Sequence, residues 1–158
     1  MGRRQKIQIG EIRMEWWVFE AVDADRIAVE QFEKVCDFCY PDSFKKIVKQ
    51  YDGGSPEYME FDTKEQEGRV FNNLLSFDAD ITSSMWYLAE KHSDGSIEWV
   101  IDGLDWRYIP FARDPFGNYI CFDRTNNHVV FWDHEIAEVE EVADTFTEFI
   151  NSLYESED

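Results

Sequence analysis

The chain has 158 residues, 44% hydrophobic and 16% aromatic, which suits one folded domain with its own core and is too apolar for a disordered chain. Thirty-four acidic against fifteen basic residues give a formal charge of −19; this argues against direct nucleic-acid binding and favours a basic protein partner met by fast, salt-sensitive association. There is no apolar run long enough to span a membrane, no apolar stretch behind the basic N-terminal tip, no Ser or Thr where a myristoylated Gly2 needs one (Lys6 stands there), and with three cysteines no disulfide framework, so the expectation is a cytoplasmic protein with reduced thiols.

In chain order, "WWVFEAV" is rich in β-formers and predicts an N-terminal strand. "DADRIAVEQFEKVC" changes to helical spacing, with Ile27, Ala28, Phe32 and Val35 on one side and Asp23 or Asp25 as the cap. "PDSFKKIVKQYDGG" is the clearest helix: Phe44, Ile47, Val48 and Tyr51 form one apolar stripe, Pro41 suits its first turn and Gly53 its exit. Residues 51–69 read as a loop flanking a short strand, and "RVFNNLLSF" as a strand.

"DADITSSMWYLAEKHSDG" reads as a helix with Ile81, Met85, Leu88 and Ala89 along one face. The rival reading is a strand folded back onto "SIEWVI" through Asp94-Gly95. "RYIPFA", "YICFD" and "HVVFW" predict a three-stranded meander, with Gly117 supplying the first turn and Asn126-Asn127 the second. On the middle strand Ile120 and Phe122 face one way and Tyr119, Cys121 and Asp123 the other. "DTFTEFINSL" ends the chain as a helix capped by Thr145 with Glu148 three residues on. No repeat or linker divides the chain, so one domain over 1–158 is expected, with frayed tails at 1–12 and 154–158.

The candidate chemistry is weak against these structural readings. "DPFGN" lacks the alternate oxygen ligands and terminal Glu of a calcium loop. His128 and His134 lie six apart, on one face of a regular strand but distant along it, and read as strand-end polar residues instead of metal ligands. Cys36 and Cys39 have redox-pair spacing, but they close a helix instead of opening one, so inert thiols are expected. No Gly-x-Ser-x-Gly elbow or phosphate loop is present. The pairs Asp78/Asp80 and Asp102/Asp105 read as solvated surface in so acidic a chain. No catalytic residue, cofactor or metal is therefore expected, and no enzyme.

The order of these pieces resembles a known family. A proline between two helices, Gly53-Gly54 after an amphipathic helix, then "SPE", "LLSFD", "IPFARDPFGNYICFD", "VVFWDHE" and a closing "VADTFTEFI" are together similar to the SUKH superfamily of the Smi–Knr type, from about Trp16 to Leu153. Where this chain has "VCDFCYP", the family usually carries a glycine and aliphatic residues. The resemblance implies a single α+β domain, a mostly antiparallel sheet flanked by helices. It implies a bacterial immunity protein that binds and inhibits a cognate toxin, often a nuclease, or else a regulatory interaction module of cell-wall or signalling type. An acidic immunity protein can steer itself onto a basic, nuclease-like toxin. The expected partner-binding residues are the exposed carboxylates Asp78, Asp80, Asp94, Asp102 and Asp105, with Trp86, Trp99 and Trp106 as aromatic anchors; each tryptophan has core packing as its rival role.

Overall fold

A five-stranded antiparallel sheet forms the centre of the computed structural model, which describes residues 12–156. In chain order the elements are β1 (Trp16–Trp17), α1 (Val29–Cys36), α2 (Asp42–Tyr51), β2 (Ser55–Pro56), β3 (Glu60–Phe61), β4 (Arg69–Val70), β5 (Asn73–Leu74), α3 (Met85–Leu88), β6 (Ala89–Lys91), β7 (Ile97–Trp99), β8 (Tyr108–Arg113), β9 (Tyr119–Asp123), β10 (Val129–Asp133), β11 (Glu138–Ala143) and α4 (Phe146–Ser152). The main sheet runs β11-β10-β9-β8-β5, and β1-β2, β3-β4 and β6-β7 are separate two-stranded ribbons. This is a single-domain α+β fold, as expected. Residues 1–11 of the N-terminal tail and 157–158 of the C-terminal one lie outside the described residues; Ile12 packs partly buried against the core, and Tyr154 bridges back to Glu60.

The clearest helix forms as its pattern requires. α2 buries Phe44, Ile47 and Val48, follows Pro41 as N-cap, and exits through Gly53 at φ 73°. α1 starts later than the sequence suggests. Asp23 caps a short 3-10 turn at Ala24–Arg26, and Ala28 stands at the N-cap of α1 without a side-chain bond. In α4 the Thr145 hydroxyl accepts the Glu148 amide at 3.0 Å, the expected cap.

Three strand readings need correction. "WWVFEAV" pairs only at Trp16–Trp17. "RVFNNLLSF" is not one strand but two short ones, β4 pairing β3 and β5 pairing β8. The meander has a further strand, β11, whose glutamates hide the strand signal.

The expected helix over 78–95 is also corrected. Only Met85–Leu88 is helical, and the chain then enters β6, which folds back onto β7 through Asp94-Gly95. The rival hairpin reading was the right one. Gly95 at φ 91° supplies the turn geometry that made it legible.

The sheet is walled on both faces. On one face Phe111 and Phe122 stack at 4.3 Å, with Phe44 of α2 edge-on to both and Phe146 of α4 edge-on to Phe111. On the other face Cys121, Val130 and Trp132 are also buried. There the turn at Gly103, which follows the β6–β7 hairpin, lies against Trp132 and Ala137. Burial on both sides is why β8, β9 and β10 read as continuous apolar runs. A register shift in β8 between Pro110 and Ala112 accommodates the proline, which has no amide to offer the ladder.

Candidate functional site: an acidic groove on the hairpin arm

The segment from α3 to the start of β8 forms an arm across the sheet. On its hairpin Ala89 pairs with Trp99 and Glu90 with Glu98. Residues opposite one another share a face, so Ala89 and Trp99 turn one way and Glu90 and Glu98 the other. Trp99 is only 4% exposed, and its ring lies tilted against that of Trp106 with centroids 4.4 Å apart. Trp106 in turn lies 4.9 Å beneath the guanidinium of Arg124.

On the outward side the arm curls into a groove of about 420 Å³, lined by Glu90, Glu98, Val100, Asp102 and Asp105 among others, with no Lys or Arg among the described residues of its lining. Two glutamates directly opposite on a ribbon repel each other. Among the described residues only His92 moderates them, with Nε2 3.0 Å from Glu98 and Nδ1 4.0 Å from Glu90. Two large apolar residues on this arm stand exposed, Tyr87 at 53% and Val100 at 49%. At the hairpin tip the amide and hydroxyl of Ser96 donate to Asp94 and hold its carboxyl below the ordinary carboxylate range.

The expected site residues divide. Trp99, Asp102 and Asp105 meet at the groove, with Trp106 behind Trp99 and Asp94 at the hairpin tip. Asp78 and Asp80 are held by Arg26 instead. Trp86 donates its indole N–H to the Phe77 carbonyl at 2.9 Å and sets its ring against Phe32, so it packs the body of the molecule. Glu90 and Glu98 were missed. Their signal was available in the hairpin reading, because strand pairing through Asp94-Gly95 places them opposite each other.

The other candidate chemistry is accounted for by packing. Burial pushes the Cys36 thiol up to about 11 and that of Cys121 well above its ordinary value, the reverse of what a nucleophile needs. Asp114 accepts from the amides of Phe116 and Asn118 and from the Asn118 side chain, all at 2.8 Å, which builds the turn around Gly117. Asp123 takes the Arg107 guanidinium through both oxygens, at 3.0 and 2.9 Å. His134 sits over Gly117, while His128 lies at the other end of β10, beside Glu141 and Asp144. The two histidines therefore do not form one site.

The family model described as SUKH_6, SMI1-KNR4 cell-wall, matches residues 27–150. The chain belongs to the SUKH family. A curated relative, the SPbeta prophage-derived uncharacterized protein YokK of Bacillus subtilis (strain 168), is 30% identical over 129 residues, a match that covers 72% of this SUKH chain and 66% of that protein. No solved structure matches this SUKH chain significantly. The SUKH match takes in α1, α2, the main sheet, the hairpin arm and most of α4, so the groove lies inside the family domain. No helix among the described residues of this SUKH chain is long and apolar enough to cross a membrane.

Proposed function

We propose that this chain is an immunity protein that binds and neutralises a cognate polymorphic toxin, a basic nuclease, by stoichiometric protein–protein contact without turnover. SUKH membership supports the immunity role. The observation that carries the site is the groove that gathers Glu90, Glu98, Asp102 and Asp105 with no Lys or Arg among the described residues of its lining. A cationic partner would supply the positive charge missing from the described lining of the groove, and Val100 and Tyr87 would give its apolar contacts somewhere to bury. Asp94 extends the acidic face along the hairpin. Asp78 and Asp80 stand outside it as a second acidic patch, already paired with Arg26.

The test is co-expression and calorimetry with basic nuclease toxin domains, beginning with any encoded beside this chain's gene. One-to-one binding is expected, with affinity falling steeply as salt rises. Replacing Glu98 and Asp102 by Lys should weaken binding by more than about tenfold and abolish protection, while Lys at Asp78 and Asp80 should have a smaller effect. Binding indifferent to salt and to both pairs of reversals would reject the reading.

A second reading, a regulatory interaction module, draws its support from the term cell-wall in the family description. It would use the same face. Capture of a cell-wall or signalling protein, lost on the Glu98 and Asp102 reversals and unaffected by any toxin, would favour it.

A further inference from the structure

Away from the groove, the start of β10 and the end of β11 bring together His128, Glu141 and Asp144, whose ligand atoms all lie within 4.8 Å of one another. The cause is a register shift. Val129 faces Ala143 and Val130 faces Glu141, so Val142 is an extra residue in β11. This bulge draws both acidic positions toward His128, and the start of α4 at Thr145 fixes the backbone just after Asp144.

The two ring nitrogens of His128 have different surroundings. Nδ1 lies 2.8 Å from Glu141 Oε2, a full hydrogen bond. Nε2 lies 3.9 Å from Asp144 Oδ1, too far for one. Asp144 has no other polar partner among the described residues, and its side chain is 77% exposed. With the proton on Nδ1 donated to Glu141, the lone pair of Nε2 points toward the gap. A histidine that ligates a metal usually has its other N–H held by a carboxylate in this way. An ion with bonds of about 2.0–2.1 Å to nitrogen and oxygen can bridge such a gap, and a small rotation of the exposed Asp144 side chain closes the angle.

We propose that His128 and Asp144, oriented by Glu141, form a surface site for a divalent ion of the zinc class. One imidazole beside carboxylate suits zinc, nickel or cobalt better than magnesium or calcium, which prefer an all-oxygen set. Water completes the coordination, and the chain's −19 charge raises the local concentration of any cation. The site is independent of the groove and of any toxin.

The experiment uses the full chain, stripped with chelator and titrated with zinc chloride near neutral pH, with magnesium chloride in parallel. One saturable zinc equivalent is expected, with no response to magnesium. His128→Ala and Asp144→Asn should each weaken it by about tenfold or more, and Glu141→Gln by less, since it acts through the ring. His92→Ala, His134→Ala and Cys39→Ser should leave it unchanged. In nitrogen-15 spectra zinc should shift Nε2 of His128 and leave its Nδ1 protonated. No saturable binding, binding that survives His128→Ala, binding lost in Cys39→Ser, or a His128 ring that zinc does not shift would each overturn the proposal; the last would leave an imidazolium bridging two carboxylates.

Discussion

The guanidinium of Arg124 donates to the carbonyl of Cys36 at 2.6 Å, so a side chain from the turn after β9 closes the C-terminus of α1. It also reaches the Asp37 carbonyl at 2.8 Å, where the chain leaves the helix at φ 52°, and lies over Trp106. A cation at a helix C-terminus meets the free carbonyls and the negative end of the dipole together. Arg124→Ala should lower unfolding free energy by about 2–3 kcal/mol in urea titrations. Arg124→Lys should recover only part, because a point charge cannot serve two carbonyls and a ring at once. An alanine variant as stable as the parent would remove this joint from the account of the fold.

The two glycines after α2 do different work. Gly53 has φ 73° and open space around it, so alanine there meets backbone strain alone, about 1 kcal/mol. A Cβ on Gly54 would lie 2.7 Å from the Tyr51 carbonyl oxygen and 2.8 Å from that of Trp17, and backbone must move to admit it. Gly54→Ala should therefore be the more damaging, by about 2–4 kcal/mol. Thermal melts of both variants check the order.

Thiol reactivity should follow burial. Cys39 is exposed, whereas Cys36 and Cys121 are buried and carry raised pKa values. In the native protein at mildly alkaline pH, a thiol reagent should label Cys39 rapidly and the other two only on unfolding. Rapid labelling of Cys36, read by peptide mass, would contradict its buried place at the end of α1.

Asp52 gives a pH dependence of known sign. Burial pushes its carboxyl up, against the opposing hydrogen bonds from the Ser76 hydroxyl and the Phe77 amide. A raised folded value means that the folded state holds its proton more tightly than the unfolded one. This group's contribution to stability therefore falls as pH rises from the ordinary carboxylate range through the folded value, and is recovered on acidification. Between about pH 7 and pH 4, the stability of the parent relative to Asp52→Asn should shift in the parent's favour as pH drops. Paired urea midpoints measure it, and a shift in the other direction would refute the assignment.

Much of the fold could be read from the sequence. α2 announced itself because four apolar residues at helical spacing sit between a proline and a glycine pair. β8, β9 and β10 did so because strands buried on both sides keep unbroken apolar runs. The arm was harder. Ile81, Met85, Leu88 and Ala89 match a helical face, yet Ala89 faces Trp99 across a ribbon, a long-range pairing that outweighs local spacing. β11 escaped notice because its Glu140 is held by Arg69 against the β3–β4 ribbon, a tertiary partner that spacing cannot reveal. Of the candidate site, the acidic residues were legible as composition. Their sorting into a groove, a pair bound by Arg26 and a cluster beside His128 was not, since each depends on which strands lie side by side.

The double-walled sheet has a consequence for how such a molecule can change. Glu90, Glu98 and Val100 project from the arm into solvent, while the phenylalanine stack that holds the chain together lies on the far face of the sheet. Substitutions at those outward positions can redraw the charge and shape offered to a partner without opening a void in the interior. New specificity can thus be acquired with little loss of foldedness.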